Sequence, residues 1–288
     1  MSDRPSYISD IPRQSHIRVN GVDLALFEWP GVGQSLLFVH ATGFHARCWD
    51  QVIAHLPGRH CYALDLRGHG RSSKPEPPYP WRAFGEDVAA LVRSLGFTEV
   101  IGIGHSLGGH AVALAAALAP DVFSNLLLID PVILPQSHYR EPLFKEHFAA
   151  RRRNRWASSS EMFDSFKARR PFSCWEPAVL WDYCNYGLLP APDGDGFVLA
   201  CPPQIEASIY MNCTSANIYD EISTIEIPVQ VIRAGATQVP VAIDMSASPT
   251  DPDLASCCRQ GEDLHLPDCS HFIPMEQPAL IARHIARF

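Results

Sequence analysis

The chain has 288 residues, 47% of them hydrophobic, so it can bury a large core as one sizeable domain or two small ones. Its formal net charge of −8 argues against a nucleic-acid partner. The sequence shows no leader pattern and no apolar run approaching about 18 residues, so we expect a cytoplasmic protein without a membrane partner. Nine cysteines without a C-x-x-C pair predict free thiols, and no metal or cofactor is indicated.

Eight short apolar or alternating runs predict β-strands, and helical patterns alternate with most of them. Asn20-Gly21 separates the first two strands and is a strong signal for a tight hairpin turn. This alternation predicts a mostly parallel sheet with helices on both faces. The predicted strands are 16–19, 23–28, 35–39, 61–65, 100–103, 126–130, 229–233 and 263–266, and the predicted helices are 49–55, 81–95, 111–119 and 277–288.

The regular alternation stops between about 131 and 225, where helical and irregular segments rich in aromatic residues follow. This block predicts an insertion at the carboxyl edge of the sheet, where open α/β folds bind ligands. Its basic cluster, 151–155, is interpreted as a solvated helix face, with an anionic substrate group as the alternative.

The most informative motif is Gly104-His105-Ser106-Leu107-Gly108, between an apolar strand and an alanine-rich helix. A tight strand-to-helix turn strains its central residue, so the flanking positions must be glycine or very small. The turn exposes the Ser106 hydroxyl at a helix N-terminus, which favours negative charge developing nearby. The motif in this context predicts a nucleophilic serine.

Four segments jointly resemble the α/β-hydrolase family, and the resemblance covers about residues 17–288. It implies an α/β fold with an eight-stranded, mostly parallel sheet, helices on both faces and a mainly helical cap inserted after the sixth strand. The segments are 38–43, 65–72, 104–109 and 270–272. The implied domains are a core of 1–133 and 226–288 and a cap of 134–225.

The family resemblance implies a catalytic triad. A serine hydroxyl needs a base to accept its proton, and His271, in the loop after the last predicted strand, stands where the family has its base. The family usually takes its acid from the loop after the strand ending near Arg233, but residues 233–239 contain no carboxylate. We favour Asp130, at the end of the strand after the serine helix, because some members are similar in drawing the acid from that position. The alternatives are Asp244 and then Asp251 or Asp253.

Two backbone N–H groups are expected to bind the oxyanion. One is that of Leu107, and the resemblance points to Thr42 for the other. The family commonly has His-Gly where this chain has His40-Ala41, so we expect a differently shaped loop. We interpret His40 and His105 as structural or pocket-shaping residues. The aromatic content of the cap favours an apolar or aryl group in the pocket, with four candidate contacts: Trp156, Phe172, Trp175 and Trp181.

The sequence therefore predicts hydrolysis of a small-molecule carboxylic ester through an acyl-serine, with an aryl ester or a lactone as the narrower candidates. Ser106 argues against epoxide hydrolases and dehalogenases of the same fold, which need an aspartate nucleophile. Carbon–carbon bond hydrolysis, hydroxynitrile cleavage and perhydrolysis stay open because they use the same triad. A non-catalytic small-molecule receptor is the alternative from another class. The oligomeric state is open.

Overall fold

The computed structural model describes residues 11–139, 147–235 and 247–288. Within these ranges the chain forms eleven β-strands, eight of them in one large sheet and three in a small one. The strands are β1 (Arg13–Val19), β2 (Val22–Trp29), β3 (Val32–Val39), β4 (Arg59–Leu64), β5 (Val100–His105), β6 (Phe123–Ile129), β7 (Arg155–Trp156), β8 (Leu188–Pro190), β9 (Phe197–Leu199), β10 (Val229–Ala234) and β11 (Gly261–Leu266).

The large sheet has the strand order β1-β2-β4-β3-β5-β6-β10-β11. The pairs β1–β2 and β2–β4 are antiparallel, and the other neighbouring pairs are parallel. Asn20 and Gly21 both have positive φ in the turn between β1 and β2, which explains the hairpin signal. Central β5 is buried at every position, as a strand covered on both faces must be. The predicted eight-stranded, mostly parallel sheet is confirmed.

Helices cover both faces of the large sheet, as predicted. Successive residues of β3 point to opposite faces, so that Leu37 packs with one helix layer and Phe38 with the other. In the described ranges no helix combines the length and apolar character needed to cross a membrane. The α-helices there are α1 (Asp50–Ala54), α2 (Trp81–Ser94), α3 (Leu107–Leu118), α4 (Ser159–Phe166), α5 (Pro177–Tyr186), α6 (Pro203–Met211), α7 (Tyr219–Ile222), α8 (Ile273–Glu276) and α9 (Pro278–Ile285).

The two faces of the sheet have different helices. Helices α2 and α3 pack on the face that Leu37 joins, and α1 and α9 pack on the face that Phe38 joins. The closing helix is shorter than the predicted 277–288: it begins at Pro278, which holds Gln277 out of helical geometry and separates α8 from α9, and it ends at Ile285.

The inserted segment, which is the chain between β6 and β10, is described over residues 130–139 and again from residue 147 onward. It contains helices α4 to α7 and the small antiparallel sheet β7-β9-β8. The sequence did not predict these strands, because runs of two or three residues show no periodicity. The segment shares one hydrophobic cluster with Phe44 and Phe272 of the sheet domain. The domain boundaries at 134 and 225 stay a prediction.

Candidate active site

Ser106 is the apex of a strained turn between β5 and α3. Its φ of 58° and ψ of −119° lie outside the regions that most residues adopt. The turn is possible because two glycines let backbone segments meet. A Cβ on Gly104 would lie 2.3 Å from the Gly108 carbonyl oxygen, and one on Gly108 would lie 2.1 Å from that of Val39. The strain predicted from the motif is present, and it holds the serine at the N-terminus of α3.

The structure brings Ser106, His271 and Asp130 into one hydrogen-bonded chain. His271 Nε2 lies 3.0 Å from Ser106 Oγ, and His271 Nδ1 lies 2.6 Å from Asp130 Oδ2. A carboxylate accepts, so Nδ1 carries the proton and Nε2 is free to accept from the serine hydroxyl. All three residues are buried, at 6%, 7% and 0% exposure respectively. The arrangement can therefore pass a proton from the serine to the imidazole.

Asp130 is held by donors that the sequence analysis missed. Its Oδ1 accepts hydrogen bonds from the Ala234 N–H at 3.0 Å and from the Ser248 hydroxyl at 2.5 Å. The Thr250 hydroxyl lies 3.1 Å from the same oxygen. Burial alone would raise the pKa of Asp130, but hydrogen bonds from His271, Ser248 and Ala234 outweigh it and hold the pKa below its ordinary value. The carboxylate therefore stays ionised beside the imidazole.

The other candidate acids lie elsewhere or outside the described residues. Asp251 accepts a hydrogen bond from the Tyr219 hydroxyl, and Asp253 is exposed at the start of a short 3-10 helix. Asp244 lies outside the described residues. Ser248 and Thr250 follow the carboxylate-free stretch 233–239, but nothing in the sequence pairs their hydroxyls with Asp130.

His105 supports the loop that carries His271. Its Nε2 donates to the His271 carbonyl oxygen at 2.8 Å, so its Nδ1 is unprotonated. That Nδ1 is buried and has no partner among the described residues. Burial, followed by the charge of His271, lowers the pKa of His105 to about 3. His105 is therefore a neutral donor that links the serine strand to the His271 loop.

His40 and a second neutral histidine, His69, fix the loop after β3. His40 Nδ1 donates to the Ala41 carbonyl at 2.7 Å, and its Nε2 accepts from the Leu66 N–H at 3.0 Å. His69 Nε2 accepts from the Gly43 N–H at 3.0 Å. Burial lowers the pKa of both imidazoles, which keeps both nitrogens in these roles. The structural role predicted for His40 agrees with these contacts.

The predicted oxyanion donors lie at the same edge of the sheet. Leu107 is the first residue of α3, so its N–H has no acceptor within the helix. The close approach of Gly108 to Val39 brings that helix end against the loop containing Thr42. The positive φ of this loop lies at Gly43, at 79°, and not at Ala41, where a side chain would be strained. Thr42 itself is 4% exposed.

The four predicted aromatic contacts divide into two groups. Trp175 packs on Phe272, with ring centroids 5.3 Å apart, and so lies beside the His271 loop. The others pack within the inserted segment: Phe172 stacks on Phe166 at 4.4 Å, Trp156 contacts Phe166, and Trp181 contacts Phe163.

The sequence analysis also missed two aromatic residues close to these groups. Phe44 contacts His105, Trp175 and Phe272, and Tyr183 contacts Phe44 and Trp175. The position of Phe44, directly after Thr42-Gly43, was the available signal.

Comparisons with known proteins agree with this architecture. A family model described as "Alpha/beta hydrolase family" matches residues 36–284. The chain is 27% identical over 257 residues to "Lipase LipV" of Mycobacterium tuberculosis, covering 86% of this chain and 90% of the relative. It is 24% identical over 284 residues to "Bifunctional esterase/perhydrolase DCH" of Acinetobacter calcoaceticus, covering 93% and 96%.

Among solved structures, E-2-(acetamidomethylene)succinate hydrolase superposes with a TM-score of 0.76 at 20% identity, over 96% of this chain and 99% of that one. This likeness agrees with the strand order and with the family match over most of the chain. The chain belongs to the α/β-hydrolase family.

Proposed function

We propose that this protein is a serine hydrolase that cleaves carboxylic esters through an acyl-serine intermediate. The observation that carries the proposal is the hydrogen-bond chain from Ser106 Oγ through His271 to Asp130, at 3.0 and 2.6 Å. The names of the lipase and esterase relatives support an ester as the substrate class.

Acylation begins when Ser106 Oγ attacks the ester carbonyl carbon while His271 Nε2 takes the hydroxyl proton. Asp130 stabilises the imidazolium that forms, because its carboxylate accepts from Nδ1. The N–H groups of Leu107 and Thr42 bind the oxyanion. The tetrahedral intermediate then expels the alkoxide, which takes the proton from His271 Nε2.

Deacylation repeats these steps with water in place of the serine. His271 Nε2 removes a proton from a water molecule, whose oxygen attacks the acyl carbon. The second oxyanion occupies the same pair of N–H groups. Collapse of this intermediate breaks the bond to Ser106 Oγ, which regains its proton from His271 and releases the carboxylic acid.

In this proposal the inserted segment is a cap that bounds the acyl pocket. Its support is the packing of Trp175 on Phe272 and the bond from the Glu176 N–H to the Met275 carbonyl at 2.9 Å, close to His271. An aromatic wall of this kind favours an apolar or aryl group, which an aryl ester or lactone would supply.

Hydrolysis of p-nitrophenyl acetate, butyrate and octanoate by the wild type and Ser106→Ala tests the proposal. We expect Ser106→Ala to lose at least about a thousandfold in kcat while its melting temperature is kept. Ser94→Ala is the matched control, because that hydroxyl donates to the Leu91 carbonyl on α2. A fluorophosphonate should label Ser106 covalently. Serine-independent turnover, or labelling elsewhere, would exclude this mechanism.

Perhydrolysis is the second candidate, and the name of the Acinetobacter relative favours it. Hydrogen peroxide would replace water in deacylation and release a peroxy acid, with the same serine and histidine. Bromide oxidation in the presence of acetate and peroxide measures this activity. No turnover of any ester or peroxide would favour the carbon–carbon hydrolase, hydroxynitrile lyase or receptor alternatives.

A further inference from the structure

A buried ion pair lies in the inserted segment. Arg152 Nη1 donates to Glu206 Oε2, and Arg152 Nη2 donates to the Tyr183 hydroxyl at 2.9 Å. The Glu206 side chain is 5% exposed and that of Arg152 is 23% exposed. The prediction that the basic cluster forms a solvated helix face is therefore wrong for Arg152, because Glu206 and Tyr183 draw its guanidinium inward.

The pair lies directly against the loop that carries Thr42. A Cβ built on Gly43 would lie 2.8 Å from Glu206 Oε1 and 3.5 Å from Arg152 Nη1. The Gly43 N–H donates to His69, and the ion pair packs against the Gly43 α-carbon. The lack of a side chain at position 43 permits both the positive φ and this close approach.

Stability alone gives no reason for charges at this place. Burying an ion pair costs desolvation that its attraction only offsets, and apolar side chains of similar size commonly serve as well. A buried carboxylate against the Gly43 backbone is also costly unless a cation neutralises it. Arg152 supplies this neutralisation and, through Tyr183, connects the pair to α5.

We propose that the Arg152–Glu206 pair is a positioning device that holds the Thr42–Gly43 backbone so that the Thr42 N–H points at the oxyanion. The inference rests on the proposed ester hydrolysis. The pair acts on the transition state through the loop, without contacting the substrate. Its loss should therefore lower kcat and leave KM unchanged, because the oxyanion exists only after attack.

The test compares p-nitrophenyl butyrate kinetics of Arg152→Met, Glu206→Gln and the double variant Arg152→Met/Glu206→Leu. We expect the double variant to lose at least about tenfold in kcat with KM within about twofold. Arg152→Met alone should also lower kcat, because Glu206 and the Tyr183 hydroxyl both lose the guanidinium that fixes them beside Gly43. Arg155→Met is the control, since Arg155 pairs with Asp193 on the surface of the same segment.

Two further measurements separate positioning from folding and from failure of the proposed function. Thermal melts identify variants that do not fold. The double variant leaves no unpaired buried charge, so we expect it to fold and to allow the kinetic comparison. The rate of Ser106 labelling by a fluorophosphonate probes the oxyanion donors without requiring ester turnover, and we expect it to fall in parallel with kcat.

If the wild type is labelled but hydrolyses no ester, the ester proposal fails while the labelling rates still test the pair. Wild-type kcat and labelling in the double variant, or a change in KM alone, would overturn the inference.

Discussion

At the residue scale, the acid next to His271 depends on donors from a neighbouring loop. Asp130 sits at the end of β6 with a φ of 42°, and Ser248 and Thr250 reach its Oδ1 from the loop after β10. That loop is where family resemblance places an acid, so here one segment supplies the carboxylate and another supplies its hydrogen bonds. The charge is thereby stabilised at 0% exposure.

Asp130→Asn should lower kcat by about 10³- to 10⁴-fold, because an amide no longer fixes the Nδ1–H tautomer of His271. Asp251→Asn and Asp244→Asn should keep activity within about threefold, since Asp251 accepts from Tyr219 and we assign Asp244 no part in the proton path. Steady-state kinetics on one p-nitrophenyl ester compares the three variants. Collapse of activity in either control would move the acid away from Asp130.

Ser248→Ala should lower kcat about tenfold, because a hydrogen bond to a charged group contributes roughly 1.5–3 kcal/mol. The Ser248 bond helps to depress the pKa of Asp130, so its loss raises that pKa and the carboxylate is neutralised at a higher pH than in the wild type. The loss of activity should therefore be largest on the acid side of a kcat/KM profile. Ser256→Ala, whose hydroxyl bonds the Asp253 carbonyl, is the control. A uniform loss across pH would contradict this role.

At the element scale, the unit formed by β5, Ser106 and α3 was the part most readily predicted. The glycine pattern predicts the tight turn at Ser106, and apolar or alternating runs predict the eight strands of the large sheet. The small sheet β7-β9-β8 escaped prediction because its strands are too short for periodicity. The hydroxyls around Asp130 escaped because they depend on contacts between loops far apart in sequence.

Gly108→Ala should destabilise the protein by about 3 kcal/mol or more, since its Cβ would lie 2.1 Å from the Val39 carbonyl oxygen, which is fixed backbone. Gly102→Ala on the neighbouring strand is the matched control. Its Cβ would meet the Val112 side chain at 2.7 Å, and side chains can shift. Urea unfolding of both variants measures the difference. Equal losses would mean that the close approach of α3 to β3 is not rigid.

At the scale of the whole molecule, buried neutral histidines set the response to acid. Burial lowers the pKa of His45 and His110 to about 4 and that of His105 to about 3, and it also lowers those of His40 and His69. In the unfolded chain each imidazole takes up a proton near pH 6.5. Stability from these groups is therefore complete above about pH 6.5 and is lost as the pH falls toward 4.

Two buried carboxyls act in the opposite direction. Burial raises the pKa of Asp50 to about 6 and also raises that of Glu206, so both favour the folded state as the pH falls. The five histidines outnumber them. We therefore expect the fold to lose stability in mild acid.

The free energy of unfolding in urea should fall as the pH decreases from about 6.5 to 5, by up to about 1.4 kcal/mol per pH unit for each histidine that stays neutral in the folded state. His110→Gln should reduce the slope by one such contribution, because His110 bonds the Ala216 carbonyl away from the candidate site. Identical slopes for the variant and the wild type would show that His110 titrates normally in the folded state.

The contact between Trp175 and Phe272 gives the molecule an optical reporter. The Trp175 indole N–H is buried without a partner among the described residues. Its ring packs on Phe272, the residue that follows His271. Indole emission responds to the polarity and hydrogen bonding around the ring, so in the proposed capped pocket we expect entry of an acyl group to change its intensity or wavelength. Subtracting the emission of a Trp175→Phe variant isolates that signal. Rapid mixing could then follow the filling of the pocket by substrates that release no coloured product.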